Sequence, residues 1–128
     1  MSRTTVFAPD APAAIGPYAH AASGRGQLFL SGQTPIDPET GALVDGDVGA
    51  QTRRVFQNLA AVLHAGGGSL ADVVKVNVYL TSMTDFAAMN EVYAEMFSEP
   101  YPARTTVAVA GLPLGAQVEI EVVASLDA

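Results

Sequence analysis

Arg104 is the residue with the clearest chemical potential, because it interrupts residues 102–110, which otherwise have the composition of a β-strand. A guanidinium is not deprotonated in a protein, and its planar fork of N–H donors matches a carboxylate in a bidentate pair. A permanent cation in a strand therefore needs an anionic partner. That partner is either a carboxylate of the protein, in a surface ion pair of nearly neutral energy, or the carboxylate of a ligand.

Two further charged side chains, Glu119 and Glu121, alternate with the apolar residues Val118, Ile120 and Val122. A period of two places the apolar residues on one face of a strand and both glutamates on the other. This pattern predicts a strand over residues 117–124 with one face on the core.

The strand that carries Arg104 has the same alternation, with Val107 and Val109 on one face and Arg104, Thr106 and Ala108 on the other. We expect the two strands to form a hairpin around the turn-rich residues 111–116, with their apolar faces under helices. Four residues of strand rise would then separate Arg104 and Glu119 by about 13 Å on the second face. A direct ion pair is not expected, so either a ligand lies between them or a neighbouring subunit closes the gap.

Two helices should cover the apolar face of this sheet. Apolar residues recur at helical spacing between Asp47, a suitable N-cap, and the glycines at 66–68. The glycine triplet is interpreted as a C-cap, because it follows a helix and no Lys-Ser/Thr pair comes after it. A second helix should begin near Thr84, whose hydroxyl can cap it, and stop before Pro100. Its apolar stripe is predicted to be core: Phe86, Met89, Tyr93, Met96 and Phe97.

Three more strands are predicted from alternation and turn signals. Residues 74–80 alternate valine or leucine with polar residues, which indicates a strand with one buried face. A βαβ-like connection is expected to follow this strand. Residues 18–23 and 27–31 flank Gly24-Arg25-Gly26, and the glycines of that turn suit the positive φ of a tight hairpin.

The composition predicts one globular domain spanning residues 1–128. Hydrophobic residues make up 49% of the chain and charged ones only 15%, which indicates a surface apolar enough for an oligomer. Thirteen acidic and six basic side chains give a formal net charge of −7. Because the cations are scattered and do not alternate with aromatic residues, nucleic acid is an unlikely partner.

Cysteine is absent from the sequence, which excludes disulfides, thiolate nucleophiles and zinc-thiolate sites. The first nine residues carry no apolar segment of signal-peptide length, and no apolar run approaches the roughly 18 residues that a membrane span needs. We therefore expect a cytoplasmic protein without a membrane partner.

Six segments, in order along nearly the whole chain, resemble the reactive intermediate deaminase A (RidA, or YjgF) family: residues 11–18, 30–33, 51–59, 90–93, 102–105 and 118–121. The resemblance implies an α+β domain like that of chorismate mutase, with a mixed sheet of about six strands and two helices on one face. It also implies that the other face lies inside a homotrimer.

The same resemblance implies a deaminase that hydrolyses enamines and imines such as 2-aminoacrylate to 2-keto acids and ammonia, without a metal or organic cofactor. Arg104 would hold the carboxylate of the substrate, or of a 2-keto acid, while water adds to the imine carbon. Glu119 would orient or activate that water and pass a proton to the departing amine. Its alternative interpretation is an exposed strand glutamate.

Four more residues are implied by similarity alone. Tyr18 would place its hydroxyl at the pocket wall, although a hairpin tyrosine can also pack for structural reasons. Gly32, which is otherwise a simple turn residue, would let its backbone approach the substrate. Asn90 would lie at the subunit cleft and Thr106 beside the substrate, but an asparagine bonded to backbone has the same sequence signature.

The sequence departs from the commoner family pattern in three places. His20 stands where glutamine is more usual, Thr106 stands where many members carry cysteine, and residues 97–102 form a short segment. These departures alter the polarity and rim of the pocket, so the size of the substrate stays open. His20 and His64 are interpreted as packing or surface residues. Two other functions also stay open: an endoribonuclease or translation inhibitor, and a non-catalytic module that binds small carboxylates.

Overall fold

The computed structural model of the chain describes residues 3–126, which form a six-stranded mixed sheet and two α-helices. The strands are β1 (Thr4–Val6), β2 (Ala21–Gly24), β3 (Gln27–Leu30), β4 (Val73–Leu80), β5 (Ala103–Ala108) and β6 (Val118–Ser125). The helices are α1 (Val48–Ala65) and α2 (Phe86–Met96). The order in the sheet is β1-β2-β3-β6-β4-β5, and only β4 and β5 pair in parallel. This is the α+β architecture that the resemblance implies.

The first helix forms as its sequence predicts. The Asp47 side chain accepts a hydrogen bond from the backbone of Ala50 at 3.0 Å, which satisfies a donor of the first turn. At the other end Gly67 adopts a φ of 90°, and the Gly68 N–H donates to the Leu63 carbonyl at 2.8 Å. The glycine triplet is therefore a helix C-cap, as predicted.

The second helix begins differently from the prediction. A turn of 3₁₀-helix, Met83–Asp85, precedes it, and the Ser82 hydroxyl rather than that of Thr84 accepts the capping hydrogen bond. The expectation for Thr84 was wrong because serine two residues earlier reaches the same free N–H groups. The apolar stripe does pack as core, with Met89 and Tyr93 buried and the remaining members partly buried against it.

The core lies between the helices and the valine-rich face of the central strands. Alternate residues of β4 and β6 are almost completely buried there, namely Val76, Val78, Leu80, Val118, Ile120 and Val122. The β2–β3 hairpin also forms as predicted, with Arg25 at φ 54° and Gly26 at φ 76° in its turn. Gly24 has no positive φ, so only one of the two turn glycines serves the conformation foreseen for both.

The predicted hairpin of β5 and β6 is wrong, because β4 lies between these strands. After β5 the chain passes round the end of β4, where Val109 N–H donates to Leu80 O at 2.8 Å and Thr81 N–H donates to Gln117 O at 3.2 Å. Burial explains the arrangement. β6 buries every second residue and occupies the middle of the sheet, whereas β5 has no fully buried residue and forms an edge.

Candidate active site

Arg104 lies on the face of the sheet that the helices cover, and not on the face of Glu119 as the sequence predicted. It is in register with Val76, which is fully buried under the helices. Glu119 is in register with Tyr79, three residues further along β4 and therefore on the opposite face. The alternation of residues in the sequence did not reveal the face on which Arg104 lies. The edge strand β5 exposes the apolar Val107 on the open face and places a charged residue under α2, which reverses the usual pattern.

One face of α2 cradles the Arg104 guanidinium. Its Nη1 donates to Asn90 Oδ1 at 2.6 Å, and its carbon lies 4.5 Å from the ring centroid of Tyr93 and 5.5 Å from that of Phe86. These α2 residues are one helical turn apart, so they present a single surface to the cation. The contacts supply cation–π attraction and one hydrogen bond, but no counter-charge.

The remaining donors of Arg104 have no protein partner in the described part of the chain. No carboxylate of residues 3–126 lies within ion-pair distance of it, and Nε and Nη2 donate to none of their atoms. The guanidinium faces a cleft of about 460 Å³ whose lining includes Tyr101 and Pro102. A half-buried cation with two adjacent free donors is suited to bind a carboxylate side-on.

Two buried hydroxyls beside this cluster, those of Tyr93 and Thr106, have no hydrogen-bond partner among the described residues. Burial raises the pKa of the Tyr93 hydroxyl, and the nearby charge of Arg104 acts in the opposite direction. Thr106 follows Arg104 by two residues on the same face of β5. A buried polar atom without a hydrogen-bond partner lowers the stability of the folded state. The end of the core beside Arg104 therefore contains polar groups that a purely structural core would lack.

Glu119 lies in a separate pocket of about 350 Å³ on the open face, where Ser31, Gly32 and Tyr18 also contribute to the walls. A Cβ atom on Gly32 would overlap the Glu119 carboxylate, so glycine is what allows this carboxylate to lie against β3. Burial, and secondarily the negative charge of Glu121, raise the pKa of Glu119 above its usual range. A carboxyl group with a raised pKa holds a proton more readily than an ordinary carboxylate, which suits it to proton transfer.

Glu121 is distinguished from Glu119 by its partner. The Tyr79 hydroxyl donates to Glu121 Oε1 at 2.8 Å. That hydrogen bond is the largest cause of the raised pKa of the Tyr79 hydroxyl. Burial and the charges of Glu121 and Glu119 raise this pKa further. Two carboxylates with the same sequence signature thus have different environments: one has a tyrosine donor, and the other faces a pocket.

Tyr18 and His20 belong to the segment that closes this pocket. Tyr18 is 48% exposed, and its hydroxyl accepts a long hydrogen bond of 3.4 Å from the Ile15 N–H. His20 is buried, accepts from Ala8 N–H at 2.9 Å through Nδ1, and has Nε2 2.7 Å from Pro12 O. These bonds require the neutral tautomer with the proton on Nε2, which makes His20 a packing residue as predicted. The other histidine, His64, is exposed at the end of α1.

The predicted site residues therefore form two clusters in one chain. Arg104 and Thr106 lie on the sheet face that α2 covers, together with Asn90 of α2 itself. Glu119, Gly32 and Tyr18 lie on the open face. No local pattern in the sequence indicates the Arg104–Asn90 contact, which joins residues 14 positions apart, and the aromatic stripe on α2 indicated core rather than a surface that binds a cation. The first cluster can bind a carboxylate, and the second can transfer a proton.

Metal-binding clusters and membrane-spanning helices are both absent from residues 3–126. The histidine and carboxylate side chains there form no group of three or more that is suited to a metal ion. Neither described helix has the length and apolar character of a membrane span.

Comparison with known proteins identifies the relatives of the chain. The sequence profile of the family described as Endoribonuclease L-PSP matches residues 8–126. RutC family protein PH0854 of Pyrococcus horikoshii is 52% identical over 95% of this chain and 97% of its own length. A 2-iminobutanoate/2-iminopropanoate deaminase of Dermatophagoides farinae is 40% identical over 95% of this chain and 95% of its own length.

Solved structures give the same result. RidA from an Antarctic Psychrobacter superposes with a TM-score of 0.92, at 49% identity over 96% of this chain and 99% of that one. TdcF of E. coli, solved with bound serine, superposes with a TM-score of 0.91, at 38% identity over 97% and 99% of the two chains. Family profile, sequence identity and fold agree with the resemblance seen in the sequence, and the chain belongs to the Endoribonuclease L-PSP family, whose members include RidA proteins.

Proposed function

We propose that the protein hydrolyses 2-imino acids and their enamine tautomers to 2-keto acids and ammonia. The observation that carries the proposal is the environment of Arg104, a half-buried cation that faces a cleft with no carboxylate from residues 3–126 to neutralise it. A substrate carboxylate is the anion that this fork of donors fits best. The Dermatophagoides farinae relative is named as a deaminase of 2-iminobutanoate and 2-iminopropanoate, small imino acids that carry such a carboxylate.

The site is completed by a second copy of the chain. Arg104 and Glu119 flank β4 on opposite faces, so one chain does not direct both side chains at one small molecule. A neighbouring copy packed on the open face would bring its Arg104 cluster to the Glu119 pocket. The resemblance implies three copies, which would give three equivalent sites.

In this arrangement Arg104 fixes the substrate and Glu119 performs the proton transfers. An enamine first takes a proton at C3 and becomes the imine. Water then adds to C2 of the protonated imine as Glu119 accepts a proton from it, and Glu119 passes that proton to the amine nitrogen. The C2–N bond breaks with release of ammonia as the C2 hydroxyl loses its proton and the C2=O bond of the keto acid forms. The raised pKa of Glu119 suits both directions of transfer, because a group titrating nearer to neutral pH exchanges protons readily.

The direct test measures ammonia and keto acid release from 2-iminopropanoate generated in the assay, after subtracting spontaneous hydrolysis. Arg104→Ala should lose this activity. Arg53→Ala is the matched control, because Arg53 forms an exposed ion pair with Glu95 on the helices, away from both clusters. An Arg104→Ala protein with the wild-type rate would overturn the proposal.

Two other functions would give different results in the same preparations. Saturable 2-keto acid binding without accelerated hydrolysis would indicate a carboxylate-binding module. RNA cleavage that is lost in Arg104→Ala and suppressed by salt would indicate an endoribonuclease. The net charge of −7 opposes RNA binding, so we do not expect RNA cleavage.

A further inference from the structure

Leu114 adopts a backbone conformation that leucine disfavours. Its φ and ψ of 60° and 15° are in the left-handed region, which glycine and asparagine occupy at lower cost. Its side chain is also 61% exposed, so burial in the chain does not repay that cost. Leu114 nevertheless lines the Glu119 pocket. Backbone strain at the rim of a pocket is typical of residues that have a functional role there.

The same pocket has a second exposed apolar residue. Ile15 is 75% exposed and lines the pocket together with Leu114, Ile36 and Pro113. A neighbouring polar group is already engaged, because the Ser31 hydroxyl donates to the Ala19 carbonyl at 2.6 Å. Polar residues line the pocket as well, among them Glu119, Tyr18, Gln33 and Thr34. Its hydrocarbon surface is contributed by apolar residues that include Leu114, Ile15, Ile36 and Pro113.

The chemistry of a 2-imino acid assigns a use to that wall. Its central carbon carries a carboxylate, a nitrogen and a side chain. On the proposed function, Arg104 of one copy takes the carboxylate, and Glu119 of the other serves the nitrogen and the attacking water. The side chain must then point at the remaining wall of the Glu119 pocket.

We propose that Leu114 and Ile15 form the wall that selects the substrate side chain, so that imines with branched apolar side chains are preferred to polar ones of equal size. This inference rests on the proposed function and adds the determinant of specificity. A pocket of about 350 Å³ leaves room for a group larger than methyl.

The test compares imines generated by an amino acid oxidase from leucine and from asparagine, whose side chains are nearly isosteric, with the alanine-derived imine as reference. Wild type should favour the leucine-derived imine by about tenfold in kcat/KM, as expected for an apolar wall. Leu114→Asn should lower that ratio to near one. Asparagine tolerates the left-handed conformation, so this variant should fold at least as well as wild type. Met83→Asn, at an exposed apolar residue that lines neither cluster, is the control and should keep the wild-type ratio.

The outcomes separate the two proposals. A wild-type ratio near one, or an unchanged ratio in Leu114→Asn, overturns the role of Leu114 while Arg104-dependent turnover of the alanine-derived imine still supports the deaminase. An unchanged ratio accompanied by loss of oligomer in size-exclusion chromatography would assign Leu114 to a contact between copies. If wild type hydrolyses none of the three imines, the deaminase proposal fails and this inference fails with it.

Discussion

Arg104 and Glu119 lie on opposite faces of one sheet, with β4 between their strands. Arg104 is in register with Val76 and Glu119 with Tyr79, an offset of three residues on β4. Three residues of rise and two strand spacings put their Cα atoms roughly 14 Å apart, and alternation directs their side chains away from each other. The chain thus carries an anion-binding cluster and a proton-transfer cluster that it does not join by itself.

Removing the guanidinium should abolish substrate binding with little effect on the fold. Arg104→Ala should lower kcat/KM for 2-iminopropanoate by about a hundredfold or more, the value of two charge-assisted hydrogen bonds. Arg104→Lys should recover only part of this loss, because an ammonium cannot form the bidentate pair. Steady-state kinetics would check both, and equal activity of the lysine and arginine proteins would contradict a bidentate role.

The Gly32 position tests the placement of the Glu119 carboxylate. In Gly32→Ala the new Cβ would displace that carboxylate, which is the mobile end of its side chain, so the backbone should keep its fold. We expect kcat to fall about tenfold or more as the general acid/base is misplaced. Gly24→Ala in the neighbouring turn is a matched control, because its Cβ meets no atom within 4 Å and its φ is not positive. Equal rates for the two variants would show that the position of the carboxylate does not matter.

The raised pKa of Glu119 predicts a pH dependence of stability. Because this pKa is higher in the folded than in the unfolded chain, the folded state holds the proton more tightly, and stability is lost as pH rises through the folded-state pKa. Glu119→Gln removes the titration. It should therefore unfold at about 2 °C above wild type at pH 7 and at the same temperature near pH 4, the partial exposure of Glu119 keeping the effect small.

Thermal unfolding at fixed protein concentration from pH 4 to 8 would measure this difference. Glu91→Gln, on an exposed part of α2, provides the comparison and should parallel wild type throughout. A Glu119→Gln protein less stable than wild type at pH 7 would contradict the assignment of a desolvated carboxyl.

Two substitutions of Tyr93 separate the role of its ring from that of its hydroxyl. Tyr93→Phe keeps the ring beside Arg104 and removes a buried hydroxyl without a partner in the described residues, so stability should be unchanged or rise by up to about 1 kcal/mol. Tyr93→Leu should cost about 2 kcal/mol and raise KM severalfold more than it lowers kcat, because the cation loses its support. Denaturant unfolding and kinetics would check both variants, and a large loss of activity in Tyr93→Phe would instead indicate that the hydroxyl contacts the substrate.

The sequence predicted the fold better than it predicted the relations between strands. Periodicity and caps identified α1, β4, β6 and the β2–β3 hairpin, because these elements depend on local spacing and on one buried face. The neighbours of β5 depend on how α2 returns the chain beside β4, which residues 109–117 do not encode locally. The βαβ-like connection expected after β4 is present, with β5 parallel to β4, but the position of β4 between β5 and β6 was missed.

The candidate site was foreseen as a set of residues but not as an arrangement. Residue type and surrounding motif identified Arg104 and Glu119 as candidates. Which face of an edge strand is covered, however, depends on the elements that pack against it. Asn90 and the two aromatic rings of α2 make the covered face acceptable to a cation, and these contacts join residues that are 11 to 18 positions apart. Only the folded chain brings them together.

The most direct test of a site shared between copies is complementation. Arg104→Ala and Glu119→Gln, each inactive alone, are coexpressed or unfolded and refolded together in equal amounts. If each site takes Arg104 from one copy and Glu119 from another, about one site in four receives both intact residues, so about a quarter of wild-type activity should return. A mixture that stays as inactive as its components would contradict the account, because it would place both residues in the site of a single chain.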